Sequence, residues 1–323
     1  MVRKRKNDTR GGRGLVLLAA LLFIGCVSAQ QPPAPASAPT AAFDGTRAFE
    51  HLKQIVGIGP RPAGSEGARK TRDYIKQQMS ALGLTVTEQP FDAATPVGPV
   101  KMVNVSVRLP GVAGNPSTGS GQGRRLIFAG HYDTKLIKEF TFVGANDAGS
   151  STAFLIELAR VLKDRKNEVP IELLFLDGEE AFGEWESGNT FGSRHYVDAA
   201  RKGGTLKEIG ALVLVDMIGE KNPVFKREEA STPWLVDAIW SAALKLNRRE
   251  FVADVTPISD DHLPFLEAGI PAADIIDLDY PDEMTRRFWH TAEDTIDKCS
   301  PDSLKAVGDV LLAALPSIEL RLK

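Results

Sequence analysis

The sequence predicts an α/β domain with a mixed, mostly parallel central sheet flanked by helices. Three observations predict it. Leu126–Gly130, Ile171–Leu176 and Leu212–Val215 are short, nearly continuous apolar runs, the pattern of strands buried on both faces. Segments with helical spacing alternate with them, as the crossovers of a parallel sheet require. The chain has 323 residues, 43% hydrophobic and 25% charged, enough for a large core.

Read in order, Thr46 to Val56 has a helical period that ends near Gly57. Gly59-Pro60-Arg61-Pro62-Ala63-Gly64-Ser65 is rich in turn formers and reads as a loop. Glu66 to Leu82 reads as a second helix, closed by Gly83. Leu84 to Gln89 and Met102 to Leu109 alternate like strands, and Pro110 ends the second. Gly111 to Gly123 has five glycines and no apolar period, so it reads as a surface loop. Beyond the first buried strand, Ser150 to Asp164 has helical spacing. So do Trp234 to Leu246 and the closing segment Pro301 to Leu322, while Ala272 to Ile276 reads as a fourth core strand. No internal repeat and no boundary appear after Phe43, which predicts one catalytic domain over residues 43–323.

The first 29 residues read as a secretory signal peptide. Arg3, Lys4, Arg5, Lys6, Arg10 and Arg13 precede the apolar run Leu15–Cys26, and Val27-Ser28-Ala29 offers a small-residue cleavage site. The run is short for a membrane span, so no transmembrane segment is expected in the mature chain. Phe23-Ile24-Gly25-Cys26 offers the alternative of a lipid anchor at Cys26. Residues 30–42, rich in Gln, Pro, Ala and Ser, read as a flexible tether. The expected location is therefore periplasmic or secreted. Cleavage after Ala29 would remove six basic residues and one acid, taking the formal net charge from -3 to -8. A mild acidic balance gives no basic footprint for a nucleic-acid partner. Cys299 would be the one cysteine left, so the core must be stable without an internal disulfide.

Ligands of open α/β sheets bind at the carboxyl ends of the strands, so the residues after each apolar run carry the chemistry. His131 and Asp133 follow the first run, Asp177-Gly178-Glu179-Glu180 the second, and Asp216 the third. Asp147 lies in the loop Gly144-Ala145-Asn146-Asp147, and His290 in Trp289-His290-Thr291. Each has a plain explanation singly: Asp133 or Asp147 as a helix cap, Asp216 as a strand end at solvent, His290 as a loop residue. Their repetition at successive strand ends points to one site. Carboxylate and imidazole donors without cysteine suit a catalytic zinc with an open position. Adjacent Glu179 and Glu180 would repel after a buried strand unless a cation neutralises one, leaving the other as a general acid or base.

His131-Tyr132-Asp133, Gly144–Asp147, Asp177–Glu180, Gly192-Ser193-Arg194-His195, Asp260-Asp261-His262-Leu263-Pro264-Phe265 and His290-Thr291 together resemble the zinc aminopeptidase superfamily, in the expected order from Phe43 to the C-terminus. Ala181-Phe182 after the Glu pair, Trp185, Asp216-Met217-Ile218-Gly219 with Asn222-Pro223, and Trp289 before His290 resemble the glutaminyl-peptide cyclotransferases within it. The resemblance implies a zinc aminopeptidase-like fold and cyclisation of the amino-terminal glutamine of peptides to pyroglutamate. It implies one zinc on Asp147, Glu180 and His290, and Glu179 as proton shuttle. Asp216 and Asp260 would form an acidic network beside it, Trp185 and Trp289 would line the substrate pocket, and His131 and Asp133 would support the site.

Ala148, Ser259 and Asp274 depart from the animal cyclases, which carry serine, glutamine and histidine there. Asn146-Asp147-Ala148-Gly149 resembles an aminopeptidase more closely, and His131, Asp147, Glu180, Asp216 and His290 would complete a two-zinc site. An aminopeptidase with a second zinc through His131 and Asp216 therefore stays open. So does a non-catalytic domain on the same fold.

Overall fold

Each apolar run forms a strand whose every residue is buried: β3 (Arg125–His131), β4 (Ile171–Leu176) and β5 (Ile209–Asp216). The computed structural model describes residues 41–112 and 124–323. The expected signal peptide over 1–29, the anchor at Cys26, most of the tether over 30–42 and most of the Gly111–Gly123 loop lie outside them. Among the described residues no helix is long and apolar enough to cross a membrane.

With β1 (Val86–Thr95), β2 (Gly98–Leu109) and β8 (Ala272–Ile276), these strands form a six-stranded sheet in the order β1-β2-β4-β3-β5-β8. β4, β3, β5 and β8 run parallel, and β1 and β2 form an antiparallel hairpin at one edge. β1 is longer than its sequence pattern suggests. It carries Pro90, which an edge strand tolerates because no ladder donor is needed on its outer side.

Alternate residues of the buried strands feed two cores. Leu126, Phe128, Leu173, Phe175, Val213 and Val215 face the larger one, covered by α1 (Gly45–Ile58), α2 (Glu66–Ala81), α3 (Ser151–Leu162), α5 (Pro233–Lys245) and α7 (Pro301–Leu322). Ile127, Ala129, Leu174, Leu212 and Leu214 face the smaller one, closed by α4 (Phe191–Lys202) and α6 (Leu263–Glu267). Asp44 caps α1 by accepting from Thr46 N and Arg47 N, and Ser65 caps α2 by accepting from Ala68 N.

Three features had no strong pattern in the sequence. β6 (Phe225–Glu228) and β7 (Phe251–Thr256) form a small parallel pair, and half of β7 is exposed. α4 is preceded by Thr190 at its N-cap position, which has positive φ and makes no side-chain cap. The helix expected from Ser150 starts at Ser151, after an irregular turn over Ala145–Ser150 in which Asp147 leaves helical geometry.

Sheet register positions the chemistry. His131 pairs with Leu176, and Asp216 with Ile276, so Asp177, Asp216 and Asp277 emerge with His131 along one edge. Gly130 permits the close approach that seats β3 there: a Cβ on it would lie 2.7 Å from Ser151 Cβ and 2.9 Å from Val215 O. Gly130→Ala is expected to destabilise the chain by about 1–3 kcal/mol through overpacking. Gly183→Ala, where a Cβ meets nothing within 4 Å, should leave stability unchanged. Thermal melts of the two variants check this.

Candidate active site

Five separate elements deliver the site. β3 brings His131, the Ala145–Ser150 turn Asp147, the turn after β4 Glu179 and Glu180, the end of β5 Asp216, and a loop after β8 His290. Asp147 stands between two histidines. Its Oδ1 lies 3.3 Å from His131 Nε2 and its Oδ2 3.2 Å from His290 Nε2. Asp216 Oδ1 completes the first group at 3.1 Å from His131 Nε2, and Glu180 Oε1 the second at 3.1 Å from His290 Nε2. Within each group the donor atoms lie within 4.8 Å of one another.

The donor set fits a divalent cation. Each group offers three nitrogen or oxygen donors, the number that leaves a catalytic metal open to substrate. Glu180 Oε2 is buried without a hydrogen-bond partner, with Lys135 Nζ 3.6 Å away. The site also pulls positive charge into itself. Burial opposes a charged His290, yet the Glu180 and Asp147 carboxylates raise its pKa to about 10. Burial likewise opposes charge on Asp147, and the two imidazoles hold it well below the usual carboxylate range.

Asp147 is fixed from behind by residues the sequence did not single out. Asp294 accepts from Asp147 N at 3.1 Å and from Asn146 N at 2.8 Å, while Tyr280 donates its hydroxyl to Asp294 at 2.9 Å. Arg61 is fully buried and donates to three carbonyls: Nε to Tyr132 at 2.9 Å, Nη1 to Val143 at 2.5 Å and Nη2 to Gly144 at 2.7 Å. Burial brings its pKa down to about 10 against the pull of Asp294, Asp147 and Asp133. A lone arginine between two prolines, and an acid four residues after His290, were the available signals. Asp133 orients the glutamates instead, accepting from Glu179 N at 3.1 Å and Glu180 N at 3.4 Å.

The groups open onto a cavity of about 440 Å³. Asp147, Glu179, Glu180, Glu184, Asp216 and Asp260 form its acidic lining, and Trp185, Trp289, Ile258 and Leu278 line it with apolar surface. Of the residues singled out from sequence, Asp147, Glu179, Glu180, Trp185, Asp216, Asp260, Trp289 and His290 line this cavity, while His131 and Asp133 are buried and are not among its lining residues. Trp289 stacks on the His290 ring at 4.3 Å, and Phe142 meets that ring edge-on at 5.9 Å. Burial raises Glu179 far above the carboxylate range, with Asp260 and Glu180 adding to it and His131 opposing. Burial and the Asp216 charge bring Asp260 to about 6. Behind Asp260 lies a buried layer, His262 between Glu228 (Nε2–Oε2 3.1 Å) and Asp274 (Nδ1–Oδ2 3.7 Å).

Arg61→Leu would leave three buried carbonyls without their donor. The expected loss is about 3–5 kcal/mol of stability, read by urea denaturation, with lower metal content in whatever folds.

The sequence profile of peptidase family M28 matches residues 104–315. The glutaminyl-peptide cyclotransferase-like protein of Mus musculus is 31% identical over 286 residues, covering 79% of this chain and 71% of that protein. The glutaminyl-peptide cyclotransferase of Boiga dendrophila is 31% identical over 295 residues, covering 78% and 76%. Among solved structures, a glutaminyl cyclase from an Acidobacteriales bacterium is 38% identical with a TM-score of 0.80, covering 91% of this chain and all of that one. A leucine aminopeptidase precursor from Bacteroides thetaiotaomicron is 27% identical with a TM-score of 0.73, covering 85% and 98%. With two thirds of its length matched by the family profile and its curated relatives aligned over most of both chains, the protein belongs to peptidase family M28, among the glutaminyl-peptide cyclotransferases.

Proposed function

We propose that the protein is a zinc-dependent glutaminyl-peptide cyclotransferase that converts the amino-terminal glutamine of exported or extracellular peptides to pyroglutamate. The observation that carries this reading is Glu179, buried beside the Asp147–Glu180–His290 group in a pocket walled by Trp185 and Trp289. The relatives named above support it, and the basic start and apolar run at the N-terminus support export.

In this reading Asp147, Glu180 and His290 hold the zinc. The ion would supply Lewis acidity toward the glutamine side-chain carbonyl. Trp185 and Trp289 enclose the first residue and exclude water from it. The buried Glu179 carboxylate takes a proton from the α-amine as its nitrogen bonds to the side-chain carbonyl carbon. Glu179 then returns that proton to the side-chain amide nitrogen, the carbon–nitrogen bond breaks, and ammonia leaves. Asp216 and Asp260 keep negative charge close to Glu179, which favours its protonated state midway through the transfer.

Glu179→Gln should lower turnover by at least about 100-fold, the scale of a lost general acid–base group, while keeping its metal. His290→Ala should lose metal as well as activity. Elemental analysis beside a peptide-cyclisation assay separates the two effects. Full activity in the Glu179 variant would remove the shuttle role.

The His131–Asp147–Asp216 group favours a second reading, hydrolysis of the first peptide bond over two metals. Mass spectrometry of a glutamine-initiated peptide decides between them. Loss of ammonia from an otherwise intact peptide, abolished by a chelator, supports cyclisation, whereas release of free glutamine supports the aminopeptidase.

A further inference from the structure

The two tryptophans of the pocket are held in different ways. Trp289 stacks on His290 and packs against the apolar cluster of Met217, Ile276, Tyr280 and Phe288. Trp185 lies on a single 3-10 turn, Trp185–Ser187, in the arm that joins β4 to α4. Around the turn the bonds are local: Ser187 N to Glu184 O, Gly188 N to Trp185 O, and Asn189 Nδ2 to Trp185 O at 2.7 Å. Gly183 precedes the turn with open space around it, and Gly188 follows it at φ 138, a conformation that favours glycine. Among the described residues, one hydrogen bond runs from residues 182–188 to another part of the chain. Trp185 Nε1 donates to Ser259 Oγ at 3.1 Å.

Ser259 belongs to a different arm, after β7, and directly precedes Asp260. Both Trp185 and Ser259 line the cavity, so their bond joins two arms of its wall. We propose that Ser259 is a positioning residue whose hydroxyl latches Trp185 in place as a wall of the pocket, and thereby sets the affinity for the substrate's first residue. This rests on the cyclotransferase reading for the identity of the substrate, not for the latch.

The latch acts on binding rather than on chemistry. Among the described residues no hydrogen bond joins Ser259 to the Asp147–Glu180–His290 group, and the Glu179 amide is held separately by Asp133. With the bond gone, the indole has no polar tie and a glycine on either side of its turn, so the wall spends less time in the binding position. A neutral hydrogen bond of this kind shifts such a population by about 2- to 10-fold.

Steady-state kinetics on a glutamine-initiated peptide tests this with Ser259→Ala, Ser259→Thr, Trp185→Phe and the Ser259→Ala/Trp185→Phe pair. Ser259→Ala should raise KM about 2- to 10-fold with kcat kept, and Ser259→Thr, which retains a hydroxyl, should recover most of the loss. In the Trp185→Phe background, which has no indole N–H, Ser259→Ala should add nothing. An unchanged KM in Ser259→Ala, or simple additivity in the pair, overturns the latch. Nitrogen-15 NMR reads the latch without substrate. The indole resonance lost in Trp185→Phe should shift and exchange faster with solvent in Ser259→Ala. An unmoved resonance overturns the latch even if the wild type cyclises peptides. A moved resonance in a wild-type chain that never cyclises supports the latch and overturns the cyclotransferase reading instead.

Discussion

Asp147 faces two ways, and most of the site's construction follows from that. One carboxylate places an oxygen against each of two histidines, so its backbone must be held to a narrow geometry. Asp294 holds its amide, and Arg61 holds the carbonyls at either end of the loop leading to it. Each holder is itself a buried ionisable group. The chain thus positions one acid by burying a second acid and a cation, with Tyr280 and backbone groups saturating them. Such groups are costly to bury when unpaired, so this part of the core is specified by polar contacts rather than apolar fit.

The same concentration of acid bears on the proposed chemistry. Glu179, Asp216, Asp260, Asp261 and Asp274 are all buried near one strand edge, and burial raises the pKa of each. A water-exposed carboxylate would be ionised and weakly basic at neutral pH. Withdrawn from water among like charges, a carboxylate holds a proton readily, as a group that must accept one and give it back needs to do. Under the proposed reading, burying these acids at a cost in stability would serve proton transfer, the usual location of conflict between folding and function.

The sheet and its acidic edge were legible because both signals are local. Leu126–Gly130 and Ile171–Leu176 are apolar on both faces, and His131 and Asp177 to Glu180 follow them directly. α4 was not legible. Its cap carries no side-chain hydrogen bond, and only Gly192, Ser193, Tyr196, Val197 and Ala200 of its twelve residues are buried, so its apolar stripe is thin. β6 and β7 escaped because one is four residues long and the other has a single buried residue. Arg61, Glu228 and Asp294 act through partners remote in sequence, which no spacing rule reveals. Arg61 reaches Gly144 across 83 positions, and Glu228 meets His262 only because β6 and the start of α6 converge.

The bond from Asn146 N to Asp294 spans 148 positions, and the one that completes the His290–Glu180 contact spans 110. These closures carry a large loop entropy, which is repaid only once the strands between them have docked. No fragment ending before His290 contains the Asp147–Glu180–His290 group, and a chain lacking Asp294 has nothing to hold the Asp147 amide. Under the proposed reading, a metal held by this group would be captured late in folding, once the chain up to Asp294 has docked.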